Sequence, residues 1–246
     1  MNPRATLLFA FVALLQVGLA QAGVSASEAQ QLGKTLTPFG AEQAGNKAGT
    51  IPAYTGGLPT DTAPPGFKPG SGRWTNPYPD EKPLFAVTAQ NLDQYRDALS
   101  ETGKALFKRY PNYRMDVYPS HRSVAYPAWV LDNTRKSAVN AHLARDGVAL
   151  EGAYGGIPFP IPKNGNEVMW NHLLGYTGVA FDAYATVWSV DESGNAVKRA
   201  GHFTFQNSYY DPRSNAEEHK KSGAYYYQHV YNWSVPASAA GFAVLD

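Results

Sequence analysis

The stretch VAFDAYATVWSVDESGNAVKRAGHFTF, residues 179–205, decides how the chain is read. Val179, Phe181, Ala183, Ala185 and Val187 fall at every second position, the period of a strand with one apolar face. DESGN (191–195) has turn chemistry, and Val197, Phe203 and Phe205 resume the alternation beyond it. AYYYQHVYNW (224–233) offers a third strand, with Tyr225, Tyr227, Tyr231 and Trp233 on one face. The expectation is an antiparallel meander with one aromatic-rich side.

Upstream lies GGIPFPIPKNGNEVMWNHLL, 155–174, where Pro158, Pro160 and Pro162 alternate with Ile157, Phe159 and Ile161. That pattern is a stiff extended strap with little chain entropy to lose on folding. Asn164 stands three residues before Glu167, the spacing of a capping box, and opens a helix over about 165–174. Val168, Met169, Leu173 and Trp170 are the residues this helix would turn toward the sheet. Earlier still, Thr88 is read as capping AQNLDQYRDALSETGKALFKRY, a helix with a break near Ser100. YRMDVYP (113–119) alternates as a strand, and a helix begins between Pro127 and Asp132 and runs to about Arg145. Ser25 and Glu28 have capping-box spacing for a short first helix. Helices followed by an antiparallel meander make an α+β protein.

Between Pro52 and Pro83 there are eight prolines, which forbid regular helix, yet Tyr54, Phe67, Trp74 and Tyr78 punctuate the run. So many aromatic rings imply an ordered belt wrapped on a core. The expected organisation is therefore a signal peptide over 1–22, the belt with its short helix over 23–87, and helices plus meander over 88–246, the last two forming one domain. MNPR, the apolar run from Ala5 to Ala20, and Ala20-Gln21-Ala22 form the signal, with cleavage after Ala22. Its loss, taking Arg4, leaves equal numbers of basic and acidic side chains. A neutral chain has no electrostatic pull toward nucleic acid. The chain has no cysteine, which removes disulfides, thiolate chemistry and lipid attachment through cysteine. Export without cysteine fits a bacterial envelope, and the expected location is the periplasm.

Catalytic signatures are missing. His121, His142, His172, His202, His219 and His229 include no i,i+4 pair, so no metal site is expected. There is no G-x-S-x-G, and Ser71 of GSG lies in the belt. Glu167, His172, Asp116 and Asp182 would have to be gathered from separate elements. No phosphate loop or dinucleotide fingerprint occurs, so no catalytic residue and no cofactor are expected. The aromatic sheet face has three readings, one of them a flat aromatic platform for sugars. Its ordinary fate is the core of a sheet packed on helices. The alternative is a cavity for an apolar ligand, lined or lidded by Trp170, Leu173, Phe181, Phe203, Phe205, Tyr225, Tyr227, Tyr231 and Trp233.

LGKTLTPFGAEQAGN, IPAYTGG, EKPLFAVTAQNLDQY, ALFKRYPNYRMDVYPSHRSVAYPAWV and the strap-helix segment resemble a bacterial envelope family of unknown function, number 1329. That family is similar to the lipoprotein-carrier (LolA/LolB-type) fold. The resemblance implies a curved antiparallel half-barrel with helices on its concave face, carrying a hydrophobic small molecule or lipid and associated with envelope transport. It also implies a membrane transporter or outer-membrane protein as a partner. Rival expectations are a non-catalytic adaptor of such a partner and an envelope hydrolase with a dispersed active site. Members of the family are typically longer, and ASAAGFAVLD from Ala237 no longer tracks their pattern. The chain is thus expected to be the N-terminal part of a longer member, its sheet incomplete at the C-terminus and its edge unpaired.

Overall fold

The structure, a computed structural model, describes residues 23–59, 61–145 and 147–245; the expected signal segment, 1–22, lies outside them. Helix α1 (Ala26–Ala29) carries the expected capping box. The Ser25 hydroxyl accepts from the Glu28 N–H at 3.2 Å while Glu28 accepts from the Ser25 N–H at 3.0 Å. The belt then runs through turns, held by long-range bonds to 121–124. The Tyr54 hydroxyl donates to the Val124 carbonyl, and the Arg122 guanidinium donates to carbonyls from Glu42 to Ala44 while lying over the Tyr54 ring. Farther along, Tyr78 stacks on His121, which pairs with Glu81.

Strand β1 (Phe85–Thr88) pairs antiparallel with β2 (Arg114–Val117), so pairing crosses position 87/88, where belt and body meet. Thr88 ends this strand instead of capping a helix. The Asn91 side chain takes its N–H, and a 3₁₀ segment (Leu92–Ala98) follows. Leu99 is extended, and Ser100 caps α2 (Glu101–Arg109), which is the break expected there.

Helix α3 (Ala128–Asn140) stops five residues short of Arg145. His142–Ala144 (β3) instead pairs with Ala149–Glu151 (β4). The physical reason is close approach: a Cβ on Gly152 would sit 2.1 Å from the Asn140 carbonyl oxygen. Only glycine lets β4 return against the helix end. Helix α4 (Gly165–Leu173) forms where its cap predicts, with Asn164 accepting from the Glu167 N–H at 3.1 Å. Its orientation differs from expectation, since Val168, Met169 and Leu173 are about half exposed and only Trp170 packs inward.

The main core lies between α3, the strap, the end of α4 and a 3₁₀ turn at Ser208–Tyr210. Val130, Ala141, Leu150, Tyr154, Phe159, Leu174, Tyr209 and Tyr210 close it. Buried phenols are tolerated because they are bonded. The Tyr209 hydroxyl donates to the Gly156 carbonyl at 2.8 Å and that of Tyr210 to the Leu174 carbonyl at 2.6 Å, and burial raises both phenol pKa values. The strap threads this core. Thr134 accepts from the Ile157 N–H, and the Asn171 carboxamide makes two bonds to the Phe159 backbone.

Helix α5 (Ala216–Ser222) precedes the last strands. β5 (Ala180–Val190), β6 (Ala196–Gln206), β7 (Gln228–Val235) and β8 (Gly241–Leu245) form a four-stranded antiparallel sheet in sequence order. The fold is α+β, with antiparallel sheets and no closed barrel among the described strands. Of this sheet's apolar side chains only Ala200 and Phe205 are buried, so the aromatic face is not the core.

Candidate binding face

Cross-strand register builds the site row by row. Phe181 pairs with Phe205 and then His229; Ala183 pairs with Phe203 and then Tyr231; Ala185 pairs with Gly201 and then Trp233. The second and third rows set large rings on β6 or β7 beside alanines on β5. Ala183 and Ala185 therefore leave a trough walled by Phe203 and Tyr231. It is an open cavity of about 230 Å³, also lined by Phe181, Phe205 and His229. Gly201 is needed for the local bulge, because a Cβ there would lie 2.3 Å from the Asn232 carbonyl oxygen.

The rings support one another. Phe181 stacks on Phe205 at 5.0 Å, and Phe203 meets Tyr231 and Trp233 edge-on at 5.1 and 4.9 Å. Arg199 lies over Trp233 at 4.3 Å. His229 stands 2.7 Å from the Tyr231 hydroxyl through Nδ1, and burial holds its imidazole below the ordinary histidine pKa. Sequence reasoning missed His229 as a wall residue. Its parity with Tyr231 and Trp233 was the available signal.

Tyr225 and Tyr227 are not strand residues, as the alternation had implied. The chain leaves α5 through left-handed Gly223 and pairing begins only at Gln228. Tyr226 instead enters the core, where its carbonyl accepts from the Tyr209 N–H. Tyr225 and Tyr227 line a second cavity of about 370 Å³ with Trp170 and Leu173. Tyr227 lies 5.5 Å from His229, ring to ring, so the two cavities are linked by consecutive aromatic side chains. The nine sequence-derived residues thus divide between two neighbouring apolar depressions, with Trp233 at the far end.

The acidic and histidine residues are dispersed. The Glu167 carboxylate accepts from the Lys163 N–H and the Asn164 side chain at the start of α4, Asp116 pairs with Arg114, and Asp182 binds His202 at 2.6 Å on the opposite sheet face. Thr204 donates to Asp182 rather than to His202, so no hydroxyl is activated there. Among the described residues no cluster of three or more His, Asp or Glu side chains is arranged to hold a metal. No described helix is long and apolar enough to cross a membrane.

Fold and face together define an α+β protein with an open, aromatic-walled apolar groove on a meander sheet. Residues 86–246 match the family described as "Protein of unknown function (DUF1329)", and the chain belongs to that family. The match continues past Ala237, so β8 lies within the family's pattern, contrary to the expected departure there. An uncharacterized protein of Pseudomonas aeruginosa, PA3922, is 49% identical over 158 residues, covering 64% of this chain and 34% of that protein. The chain therefore spans about a third of that relative's length. No solved structure matches it. Neither the family nor the relative carries an assigned reaction.

Proposed function

We propose that this chain is an exported, periplasmic, non-catalytic binding or carrier protein for a hydrophobic, lipid-like molecule. In this reading the meander is part of a curved half-barrel of the lipoprotein-carrier type, and the trough is its concave side, with α4 at one end. The observation that carries it is the trough itself: the partly exposed rings of Phe203 and Tyr231 and the buried ring of Phe205 beside Ala183 and Ala185, in an open depression outside the main core cluster. Magnitudes favour a long apolar ligand. Each buried methylene gains about 0.8 kcal/mol, whereas association costs on the order of 4–15 kcal/mol, so a short apolar fragment would not stay bound. An acyl chain laid from the trough past His229 toward Trp170 would.

The test is uptake of the apolar dye N-phenyl-1-naphthylamine and its displacement by fatty acids. Ala183→Leu fills the trough without touching the core and should weaken dye binding about tenfold, the equivalent of about 1.4 kcal/mol. Trp170→Ala should weaken it less. Undiminished binding by Ala183→Leu, with its fold intact, would remove the carrier reading. The open outer edge of β8 among the described strands supports a second reading, an adaptor that docks to a membrane transporter or outer-membrane protein. It predicts no extractable ligand and capture of one such partner through β8.

A further inference from the structure

A third cavity, of about 440 Å³, lies between α3 and the loop at 211–216, and its chemistry differs from that of the trough. We propose that it is a saccharide-binding site. Asn133, Lys136 and Asn140 recur at spacings of three and four on α3, so they form one polar stripe along its wall. Trp129, one turn earlier and only partly buried, provides an indole surface at the end of that stripe. Asp211 and Asn215 line the facing wall.

Sugar rings demand this mixture. Each hydroxyl both donates and accepts, which carboxamides match with one acceptor and two donors apiece. The C–H faces of the ring need an apolar aromatic surface. Lys136 spends one donor on the Asn133 side chain at 3.2 Å and has two more. Asn215 spends its carbonyl on the Glu217 and Glu218 N–H groups, leaving its NH₂ as donor. An acyl chain would desolvate these groups without repayment. A phosphate would meet the Asp211 carboxylate, which Arg213 holds ionised with a pKa of about 2. The loop is also preorganised, since the Tyr154 hydroxyl donates to the Asp211 carbonyl at 2.8 Å and Arg213 grips the Asp211 side chain through Nε and Nη2. The size falls within the roughly 300–1,000 Å³ typical of small-molecule sites.

Calorimetric titration of the full chain with maltotriose, N,N′-diacetylchitobiose and inorganic phosphate tests this. At least one saccharide should saturate with a dissociation constant of about 1 mM or tighter. Lys136→Ala and Asn140→Ala, both at exposed positions, should each weaken it at least about threefold. The circular dichroism spectrum and thermal midpoint should stay unchanged in both variants, which certifies the fold independently of the carrier reading. Absence of saturation by either sugar at about 10 mM overturns the proposal. So does saturation by phosphate alone, or sugar binding indifferent to both substitutions.

Discussion

Asn171 holds the strap in place with one side chain. Its carboxamide accepts from the Phe159 N–H at 2.9 Å and donates to the Phe159 carbonyl at 2.7 Å, closing a two-bond ladder where the prolines on either side can donate nothing. Phe159 is buried between the ring systems of the core, so neither backbone group has ready access to water. Asn171→Ala should therefore cost about 2–4 kcal/mol, the penalty of two orphaned buried groups, read as a lowered urea midpoint. Asn171→Asp keeps the acceptor but sets an oxygen against the Phe159 carbonyl, so it should cost less only at a pH low enough to protonate it. If the alanine variant lost under about 1 kcal/mol, the strap would be held by packing alone.

At the scale of elements, α1 is tethered to the chain leading into α4 by the Lys163 ammonium on the Glu28 carboxylate. That bond, with the Ser25 cap, lowers the Glu28 pKa from 4.5 to about 2. A folded-state pKa below the unfolded one contributes stability that is fully present above about pH 4.5 and is lost as pH falls through about 2. The pair is exposed, so the effect is small, but its pH window is specific. Thermal midpoints of wild type should fall more steeply between pH 4.5 and 2 than those of Glu28→Gln. Parallel curves would mean the tether contributes nothing. Two such capped elements were legible in the sequence, because Ser25 and Asn164 announce a helix through local chemistry, whereas Ser100, the cap of α2, was read only as a break in a helix begun at Thr88. Long alternation made β5 and β6 legible for the same reason. The hairpin β3–β4 was not, since three residues cannot establish a period and the deciding contact is Gly152 against Asn140, twelve residues away. Helix α5, AEEHKKS, has no apolar stripe to find. The trough was half legible: parity gave Phe181, Phe203, Phe205, Tyr231 and Trp233, whereas Tyr225 and Tyr227 were misassigned because Gly223 delays the strand. The cavity between α3 and the 211–216 loop was illegible, because it joins residues about eighty positions apart.

Across the whole molecule, stability and binding are divided between two regions. The α3–strap core buries eight closely packed side chains with bonded phenols, whereas the four-stranded sheet leaves Tyr184, Trp188, Val190 and Phe242 at 60% exposure or more. Few buried apolar contacts and solvent-accessible backbone bonds place a region at the low end of local stability. Those four side chains share the face of Asp182 and His202, and the trough on the other face is a surface that a ligand would stabilise by mass action. Hydrogen exchange followed by mass spectrometry should therefore resolve two levels of protection. Amides of 128–141 and 153–161 should exchange slowest, near the global limit, and those of β5, β7 and β8 at least about tenfold faster. Saturation with the naphthylamine dye should slow β5–β7 selectively and leave α3 unchanged. Uniform protection across sheet and core would show instead that the chain unfolds as one cooperative unit, with the open face as well anchored as the buried one.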